Sequence, residues 1–333
     1  MKMGIAGAGM IVKDLFRFIH DVEGIELVAI ASTPNSIEKV KTMAQEQNIP
    51  HYYSCYDELL KDEEIEVMYI ASPNHLHYEM CKQALLAGKH VICEKPFTSH
   101  VKELEELNRL AKEKNLILLE AISTQYLPNT LKIKEMLNEV GKVKIVTANY
   151  SQYSSRYNAF QEGHILPAFD YTKSGGALMD LNIYNIHLMV ALFGKPKEVR
   201  YQANIEKGID TSGIITLDYE TFKAVLIGAK DCKAPISTNI QGDKGCIHIT
   251  TPANQLRGFK LLRNDGREEE YNLQNEEHRM IFEFREFVKI IEKNDYQKAN
   301  EMMEKSLIAM DMATKARQSA GVVFTADQYI EED

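Results

Sequence analysis

Residues 2–12 read KMGIAGAGMIV, and this stretch decides the fold of the first half of the chain. A short apolar run typical of a strand leads directly into two glycines, which a helical pattern follows. Glycines between a strand and a helix let the backbone approach a pyrophosphate at the helix N-terminus. The spacing makes Gly7, Gly9, Met10 and Ile11 candidates for a dinucleotide-binding loop. A tight turn without a ligand is the alternative for the glycines taken alone.

From this loop to about residue 122, continuous apolar runs alternate with amphipathic helical patterns. The strand-like runs read IELVAIAS, VMYIASP, HVICEKP and LILLEAI, with helical patterns such as SIEKVKTMAQEQ between them. Strands that are apolar along their whole length belong to parallel sheets covered on both faces by helices. The sequence therefore predicts an α/β domain with a doubly wound parallel sheet over residues 1–122.

The pattern changes after residue 122, where strand-like runs follow one another with turn residues between them. Examples are KVKIVTANYSQY, EVRYQANI, TSGIITLDY and FKAVLIGAK, and turns such as GDKG and NDG join later runs. Strands joined by short turns indicate antiparallel pairing. The apolar helical pattern ALMDLNIYNIHLMVALFG and two C-terminal helical patterns complete the prediction of an α+β domain with a largely antiparallel open sheet over residues 123–333.

Composition and net charge disfavour several classes of partner. The 333 residues are enough for two domains, and the net charge of −9 disfavours binding to nucleic acid or to an anionic membrane. We see no signal-peptide pattern at the start and no apolar run near the roughly 18 residues of a membrane span, so we expect a cytoplasmic protein. The five scattered cysteines form no metal-ligand spacing, which predicts reduced thiols and no metal site.

Two further segments place polar residues where buried strands end. Pro73, Asn74 and His77 follow one strand in SPNHLH, and Glu94 and Lys95 end another in VICEKPF. Ligands of open parallel sheets collect outside the carboxyl ends of the strands, so all five are candidates for cofactor binding. An ordinary surface position is the alternative for the lysine.

The end of the second strand bears on the choice between NAD and NADP. NAD-specific folds usually carry an acid there, about 20 residues beyond the glycine loop, whereas this chain has Ser32 and Thr33 followed by Pro34 and Asn35. Hydroxyl groups, with Lys39 nearby, suit a 2′-phosphate. We therefore favour NADP over NAD, while a solvated loop stays open as the reading of Asn35 and Lys39.

These motifs together resemble the glucose-fructose oxidoreductase, inositol dehydrogenase and MocA family of nicotinamide-dependent oxidoreductases. The resemblance covers essentially the whole chain and rests on GAGMI, SPNHLH, EKP, EAISTQYLP and SGGALMDLNIYNIH, in this order. It implies an N-terminal Rossmann domain and a C-terminal domain for substrate binding and oligomerisation, without a metal. The family's lysine, the acid before it and its aspartate fall on Lys95, Glu94 and Asp180.

The position four residues after the aspartate distinguishes branches of the family. Many relatives have histidine there, whereas this chain has Tyr184, as in the dihydrodiol dehydrogenase-like branch, which generally prefers NADP. Two departures concern the substrate. The usual glycine after the aspartate is Asn182, and residues 120–125 lack the tryptophan and arginine of the dihydrodiol enzymes.

The resemblance assigns chemistry to three residues. Tyr184 is expected to exchange the proton of a substrate hydroxyl, Lys95 to favour its phenolate, and Asp180 to orient a hydroxyl or the lysine. Helical spacing puts Asp180, Tyr184 and His187 on one face, and for the histidine a buried core position is the favoured alternative. Arg156, Tyr157 and His164 stay open between lining a pocket and forming a solvated loop.

The expected activity is hydride transfer between NADP, or NAD, and the hydroxyl or carbonyl carbon of a sugar, polyol or diol. Two alternatives remain at this point: a dinucleotide-sensing binding protein without turnover, and an enzyme that cleaves glycosides with the help of NAD. The open antiparallel sheet leaves an apolar face that needs cover, which predicts a homodimer or homotetramer.

Overall fold

The structure, a computed structural model, describes residues 1–330. The chain forms two compact units. The first consists of Met1–Ala121 together with Met280–Leu307, and the second begins with Ile122–Arg279 and continues from Ile308. This division differs from the predicted limits of 1–122 and 123–333 because one C-terminal segment packs with the N-terminal domain. As boundaries of functional domains, the predicted limits stay a prediction.

Six parallel strands form the sheet of the first unit in the order β3-β2-β1-β4-β5-β6. Their bounds are Lys2–Ala6 (β1), Glu26–Ala31 (β2), His51–Tyr53 (β3), Val67–Ile70 (β4), His90–Glu94 (β5) and Leu118–Ala121 (β6). The predicted doubly wound parallel sheet is confirmed. The edge strand β3 was not predicted, because its three residues HYY are mostly exposed and show no apolar run.

The two units also contain α-helices. In chain order they are Met10–Leu15 (α1), Ile37–Glu46 (α2), Tyr56–Leu60 (α3), His77–Leu86 (α4), Val101–Glu113 (α5), Pro128–Met136 (α6), Tyr157–Gln161 (α7), Ile183–Phe193 (α8), Ile281–Glu292 (α9), Tyr296–Ser319 (α10) and Thr325–Ile330 (α11). Helix α5 shows how sequence sets a boundary: His100 Nδ1 accepts from the N–H of Lys102, and Glu103 accepts from the N–H of His100, at 3.0 and 3.1 Å. This reciprocal pair satisfies backbone donors that a helix start leaves unpaired.

Helix α9 explains why Met280–Leu307 belongs to the first unit. Phe284, on its apolar face, lies edge-to-face against Phe18 and Tyr69, with ring centroids 5.5 Å apart in both pairs. Phe284 and Tyr69 are fully buried. Aromatic pairs of this geometry add to the burial of apolar area, so the helix covers part of the core beside β4.

Eight strands form the sheet of the second unit in the order β14-β13-β12-β11-β7-β10-β9-β8. Their bounds are Val143–Ser151 (β7), Glu198–Glu206 (β8), Ile209–Asp218 (β9), Lys223–Ala229 (β10), Ser237–Gly242 (β11), Gly245–Ile249 (β12), Phe259–Arg263 (β13) and Glu268–Tyr271 (β14). Strands β7 and β10 pair in parallel and all other neighbours are antiparallel. The predicted largely antiparallel sheet is confirmed, although the charged edge strand β14 was not predicted.

The helical segment before β8 is less regular than its sequence suggests. It begins with a π-helical turn, Leu178–Asn182, and continues as α8. Asn182, which replaces the family's usual glycine, packs against Gly228 of β10, where an added Cβ would lie 2.7 Å from the Cβ of the asparagine. The side chain that the helix gains is thus accommodated by a glycine on the strand.

The stretch Tyr171–Phe193 is long and apolar enough to cross a membrane by length and composition. In its most apolar window, 83% of the residues are buried inside the protein. This burial is what a core helix of the α+β unit shows, although the sequence analysis saw no apolar run of this length.

Candidate active site

The glycine loop connects β1 to α1. Gly7 has φ +136°, and an added Cβ would lie 2.4 Å from the carbonyl oxygen of Ala71, just after β4. Its N–H donates to Ala31 O at 2.8 Å, just at the end of β2. Only glycine tolerates both this conformation and this close approach. Gly7 therefore fixes the loop against the ends of β2 and β4, the two strands that flank β1.

Gly9 has a different surrounding from Gly7. It precedes α1, and an added Cβ would meet no heavy atom within 4 Å. Met10 beside it is 69% exposed and Ile11 is half-buried. The Lys39 ammonium donates to the carbonyl oxygen of Ala8 in the same loop. Open space, a helix start and a nearby cation are the features that a dinucleotide pyrophosphate requires, so the loop fits the cofactor.

The loop after β4 is joined to the loop after β5 by His77. Its two ring nitrogens lie 2.9 Å from Pro96 O and from Ser72 O. Burial lowers the pKa of the His77 imidazole, the nearby Lys95 charge acts in the same direction, and the two carbonyl contacts oppose both. Because both nitrogens are engaged with backbone, we assign His77 to holding the two loops together, and its predicted contact with a cofactor stays a prediction.

Glu94 and Lys95 lie at the end of β5. The Glu94 carboxylate is buried and accepts a hydrogen bond of 2.6 Å from the hydroxyl of Tyr69. Burial, and then the Glu94 charge, raise the pKa of Tyr69, so this phenol stays protonated as the donor. Lys95 is half-buried, and the Lys95–Pro96 peptide bond is cis. The hydrogen bond from Tyr69 therefore fixes the Glu94 carboxylate, and Lys95 is the next residue in the sequence.

The remaining candidates of the first unit lie in short loops. Ser32 is half-buried after β2, and Thr33 is exposed with its hydroxyl 3.3 Å from the hydroxyl of Ser36. Pro73 is exposed and Asn74 begins a short 3₁₀ turn before α4. Both pairs follow parallel strands at their carboxyl ends, as the sequence predicts.

In the second unit, Asp180 forms an ion pair with Lys230, whose ammonium lies 2.7 Å from Asp180 Oδ2. The lysine side chain is 2% exposed, whereas the aspartate side chain is 39% exposed. Lys230 ends the strand-like run FKAVLIGAK, and sequence reasoning did not single it out. A charge at the end of a buried strand was the available signal, the same signal that pointed to Lys95.

Tyr184 is the second residue of α8, is 8% exposed, and has the ring of Tyr150 at 6.2 Å between centroids. Three residues further on, His187 is fully buried, and Gln125 Nε2 lies 3.3 Å from its Nδ1 and 3.1 Å from its carbonyl oxygen. These contacts support the alternative of a core histidine.

The helical segment is held at its start by Asp210, a second residue that the sequence analysis missed. Asp210 Oδ2 accepts from the N–H of Leu178 at 2.7 Å and from the hydroxyl of Tyr201 at 2.8 Å. Burial raises the pKa of Asp210 to about 6, against the effect of these two hydrogen bonds and of the positive Lys230. Asp210 therefore fixes the backbone from which Asp180 and Tyr184 project.

The three undecided residues of the loop after β7 lie in different environments. Tyr157 is buried, stacks on Phe160 and donates to Glu206 at 2.6 Å; this hydrogen bond raises the pKa of Tyr157 to about 12, with burial contributing. Arg156 is half-buried and His164 is exposed. Tyr157 thus belongs to an aromatic cluster and not to a solvated loop.

Residues 1–330 contain no group of three or more His, Cys, Asp or Glu side chains arranged to hold a metal ion.

Comparison with known proteins agrees with this arrangement. Residues 1–122 match the model of an oxidoreductase family with an NAD-binding Rossmann fold, and residues 130–248 match the GFO/IDH/MocA C-terminal domain. The fold and the glycine loop define a nicotinamide dinucleotide-dependent oxidoreductase. The predicted enzyme class and cofactor class are confirmed.

Two individual proteins match this chain over nearly its whole length. The chain is 36% identical to the scyllo-inositol 2-dehydrogenase (NADP(+)) IolU of Bacillus subtilis (strain 168), over 98% of this chain and 99% of that protein. It is 27% identical to the trans-1,2-dihydrobenzene-1,2-diol dehydrogenase of Mus musculus, again over 98% and 99%. The chain belongs to the GFO/IDH/MocA oxidoreductase family, as its motifs indicated.

A solved structure shows the same fold. KijD10, a 3-ketoreductase from Actinomadura kijaniata in complex with NADP and TDP-benzene, superposes with a TM-score of 0.84 at 21% identity, covering 96% of this chain and 97% of that chain.

Proposed function

We propose that this protein transfers a hydride between NADP and a hydroxyl-bearing carbon of a neutral cyclic polyol or diol, with inositols as the first substrates to test. The observation that carries the proposal is the 36% identity to an NADP-dependent inositol dehydrogenase along both chains. The half-exposed Asp180 carboxylate supports it, because a carboxylate is a good acceptor for hydroxyl groups of a substrate.

The proposed catalytic residues are Lys95, Tyr184 and Asp180. The bound nicotinamide supplies the hydride acceptor or donor. Tyr184 takes the proton from the substrate hydroxyl in oxidation and returns it in reduction. Lys95 polarises the substrate hydroxyl with its positive charge, and Asp180 accepts a hydrogen bond from a substrate hydroxyl and so orients the reacting carbon. The three act in one reaction under this proposal.

The proposed cofactor contacts lie in the loops after the parallel strands. They comprise Gly7, Gly9, Met10, Ile11, Ser32, Thr33, Pro73, Asn74, His77, Glu94 and Lys95. NADP is favoured because the chain has no acid at positions 32–35 to repel a 2′-phosphate and because Lys39 lies beside the glycine loop.

The test is a substrate panel with both cofactors. Purified protein would be assayed with scyllo- and myo-inositol, trans-dihydrodiols and aldoses, each with NADP and with NAD, by the absorbance of the reduced nicotinamide. We expect the highest kcat/KM for an inositol or diol with NADP. Absence of turnover on the whole panel, together with intact binding of reduced NADP, would favour the dinucleotide-sensing alternative.

We also propose that the protein is a cytoplasmic homodimer or homotetramer assembled through the sheet of the second unit. Along β7, Val146 and Ala148 are buried, whereas Ile145 on the opposite face is 46% exposed. Ile214 of β9 is 41% exposed and is paired directly with Ile227 of β10. An apolar outer face of this kind supports burial by a second copy.

A further inference from the structure

Lys230 is a buried cation at the end of β10, and its ammonium donates hydrogen bonds to two different segments of the chain. Its ammonium donates to Asp180 Oδ2 and to Ala168 O, both at 2.7 Å, and lies 4.5 Å from the ring centroid of Phe169. Lysines are rarely buried to this extent unless they are paired, because removing the charge from water is costly. The lysine therefore joins Asp180 to the turn at residues 167–169.

The backbone of Lys230 is fixed as well. Its N–H donates to Thr211 O of β9 at 2.8 Å, and its carbonyl oxygen accepts from the N–H of Ser154 at 2.8 Å. A flexible four-carbon side chain is thus held at its base by the sheet and at its end by three contacts. Such a residue defines the position of the groups it contacts and does not simply follow them.

The ion pair is asymmetric. Lys230 approaches the carboxylate from the protein interior, and the Asp180 side chain remains 39% exposed. Lys230 also acts on the other carboxylate that borders this helical segment, since its charge stabilises the ionised form of Asp210. One ammonium therefore pairs directly with Asp180 and also acts, against the larger effect of burial, on Asp210 at the start of the segment that carries Tyr184.

We propose that Lys230 is a positioning residue for catalysis: it fixes the orientation of the Asp180 carboxylate and ties it to the turn at residues 167–169, so that the aspartate can accept a hydrogen bond from a substrate hydroxyl. This inference rests on the proposed function, in which Asp180 contacts the substrate. The lysine itself does not exchange a proton with the substrate.

A double-mutant cycle tests whether Lys230 acts through Asp180. The variants are Lys230→Met, Asp180→Asn and their combination, each measured for kcat and KM with the best substrate of the panel. We expect Lys230→Met to lower kcat/KM by about 10- to 100-fold in the parent, and by less than about 3-fold when Asp180 is already asparagine. Effects that multiply independently in the double variant would overturn the inference.

Lys89 provides a matched control. It is also a buried lysine, 8% exposed, but its ammonium donates to the carbonyl oxygens of Asp62 and Ile65, each at 2.8 Å. Lys89→Met should lower Tm while kcat/KM stays within about 2-fold of the parent. Lys230→Arg retains a cation and its donors, and we expect it to recover part of the activity that Lys230→Met loses.

Hydrogen exchange gives a readout that does not need turnover. The N–H of Gly176 donates to Ala168 O at 3.1 Å, in the turn that Lys230 also contacts. We expect Lys230→Met to accelerate exchange across residues 165–178, and Lys89→Met to leave it unchanged. Unchanged exchange in a folded Lys230→Met protein would refute the positioning role. A parent without activity on any polyol, combined with accelerated exchange, would instead refute only the proposed function.

Discussion

Tyr184 carries the proposed proton transfer, and its hydroxyl can be removed without removing the ring. Tyr184→Phe should lower kcat by about two to four orders of magnitude, the usual contribution of a general acid-base group, with little change in the Kd for NADP. Steady-state kinetics and nicotinamide fluorescence titration measure the two quantities.

Tyr150 is the matched control for that variant, because its ring lies 6.2 Å from that of Tyr184 and it also belongs to the second unit. Tyr150→Phe should keep kcat within about 5-fold of the parent. His187→Asn should lower stability more than kcat, since the imidazole is fully buried. If Tyr184→Phe were as active as the parent while a folded His187→Asn protein were inactive, the acid-base assignment would be wrong.

Lys39 contacts the glycine loop, because its ammonium donates a hydrogen bond to Ala8 O. If it also serves the 2′-phosphate of NADP, Lys39→Glu should weaken NADP binding by about 10- to 100-fold, because it replaces an attraction by a repulsion, and should alter NAD binding much less. Lys41→Glu, on the same helix, makes the same charge change as a control. Equal loss of NAD and NADP affinity would point to a general effect on the loop.

Asp210 predicts a particular dependence of stability on pH. An acid whose pKa is higher in the folded protein, about 6 against an ordinary 3.8, binds its proton more tightly when folded. Its contribution to stability is therefore largest below pH 3.8 and is lost as the pH rises to about 6. The difference of about 2 pKa units corresponds to roughly 3 kcal/mol.

Asp210→Asn removes this titration and keeps an oxygen that can accept from Leu178 and Tyr201. Urea unfolding between pH 4 and pH 6.5 should show the parent losing stability relative to the asparagine variant as the pH rises. Asp170→Asn is the control, since that carboxylate also accepts from a backbone N–H, of Thr172, but at an exposed position. Parallel pH profiles for the parent and Asp210→Asn would contradict the prediction.

At the scale of the elements, the two glycines of the loop between β1 and α1 have different expected roles: Gly7 stabilises the fold, and Gly9 leaves room for the cofactor. Gly7→Ala forces a side chain against Ala71 O at a backbone conformation that suits glycine, and should lower the free energy of unfolding by more than about 1–3 kcal/mol. Gly9→Ala meets no neighbouring atom and should leave stability nearly unchanged, while it obstructs the pyrophosphate and weakens NADP binding. Thermal unfolding and fluorescence titration of both variants distinguish the two roles. Equal destabilisation by both would contradict this division.

Sequence periodicity was sufficient to predict the long helices and strands. It was insufficient where contacts between residues distant in sequence determine the local structure. The parallel strands were predicted because they are apolar throughout, and the glycine loop because it follows the first of them. The π-helical turn at Leu178–Asn182 was missed; the packing of its last residue, Asn182, involves Gly228, which is far along the chain. Asp210 was missed because its contact with the N–H of Leu178 joins residues distant in sequence. Lys230 did carry a local signal, a charge at the end of a buried strand, but its partner Asp180 is also distant in sequence.

At the scale of the whole molecule, the outer face of the eight-stranded sheet predicts self-association. Ile214 and Ile227 are cross-strand neighbours on that face, so Ile214→Asp places a charge within an apolar contact. We expect light scattering to show a dimer or tetramer for the parent and a smaller species for the variant. Ile165→Asp, at an exposed isoleucine outside the strands, should not change the mass. A monomeric parent at micromolar concentration would contradict the proposed assembly.

The packing of Phe284 on Phe18 and Tyr69 also has a consequence for folding during synthesis on the ribosome. The ribosome completes residues 1–121 and then synthesises the whole second sheet before the helix that covers this part of the first core emerges. At about 5–20 residues per second, the nascent N-terminal unit waits roughly 8 to 30 seconds with these aromatic rings uncovered. A chaperone that binds exposed aromatic segments would therefore find its target during this interval, and chains released before residue 280 should aggregate.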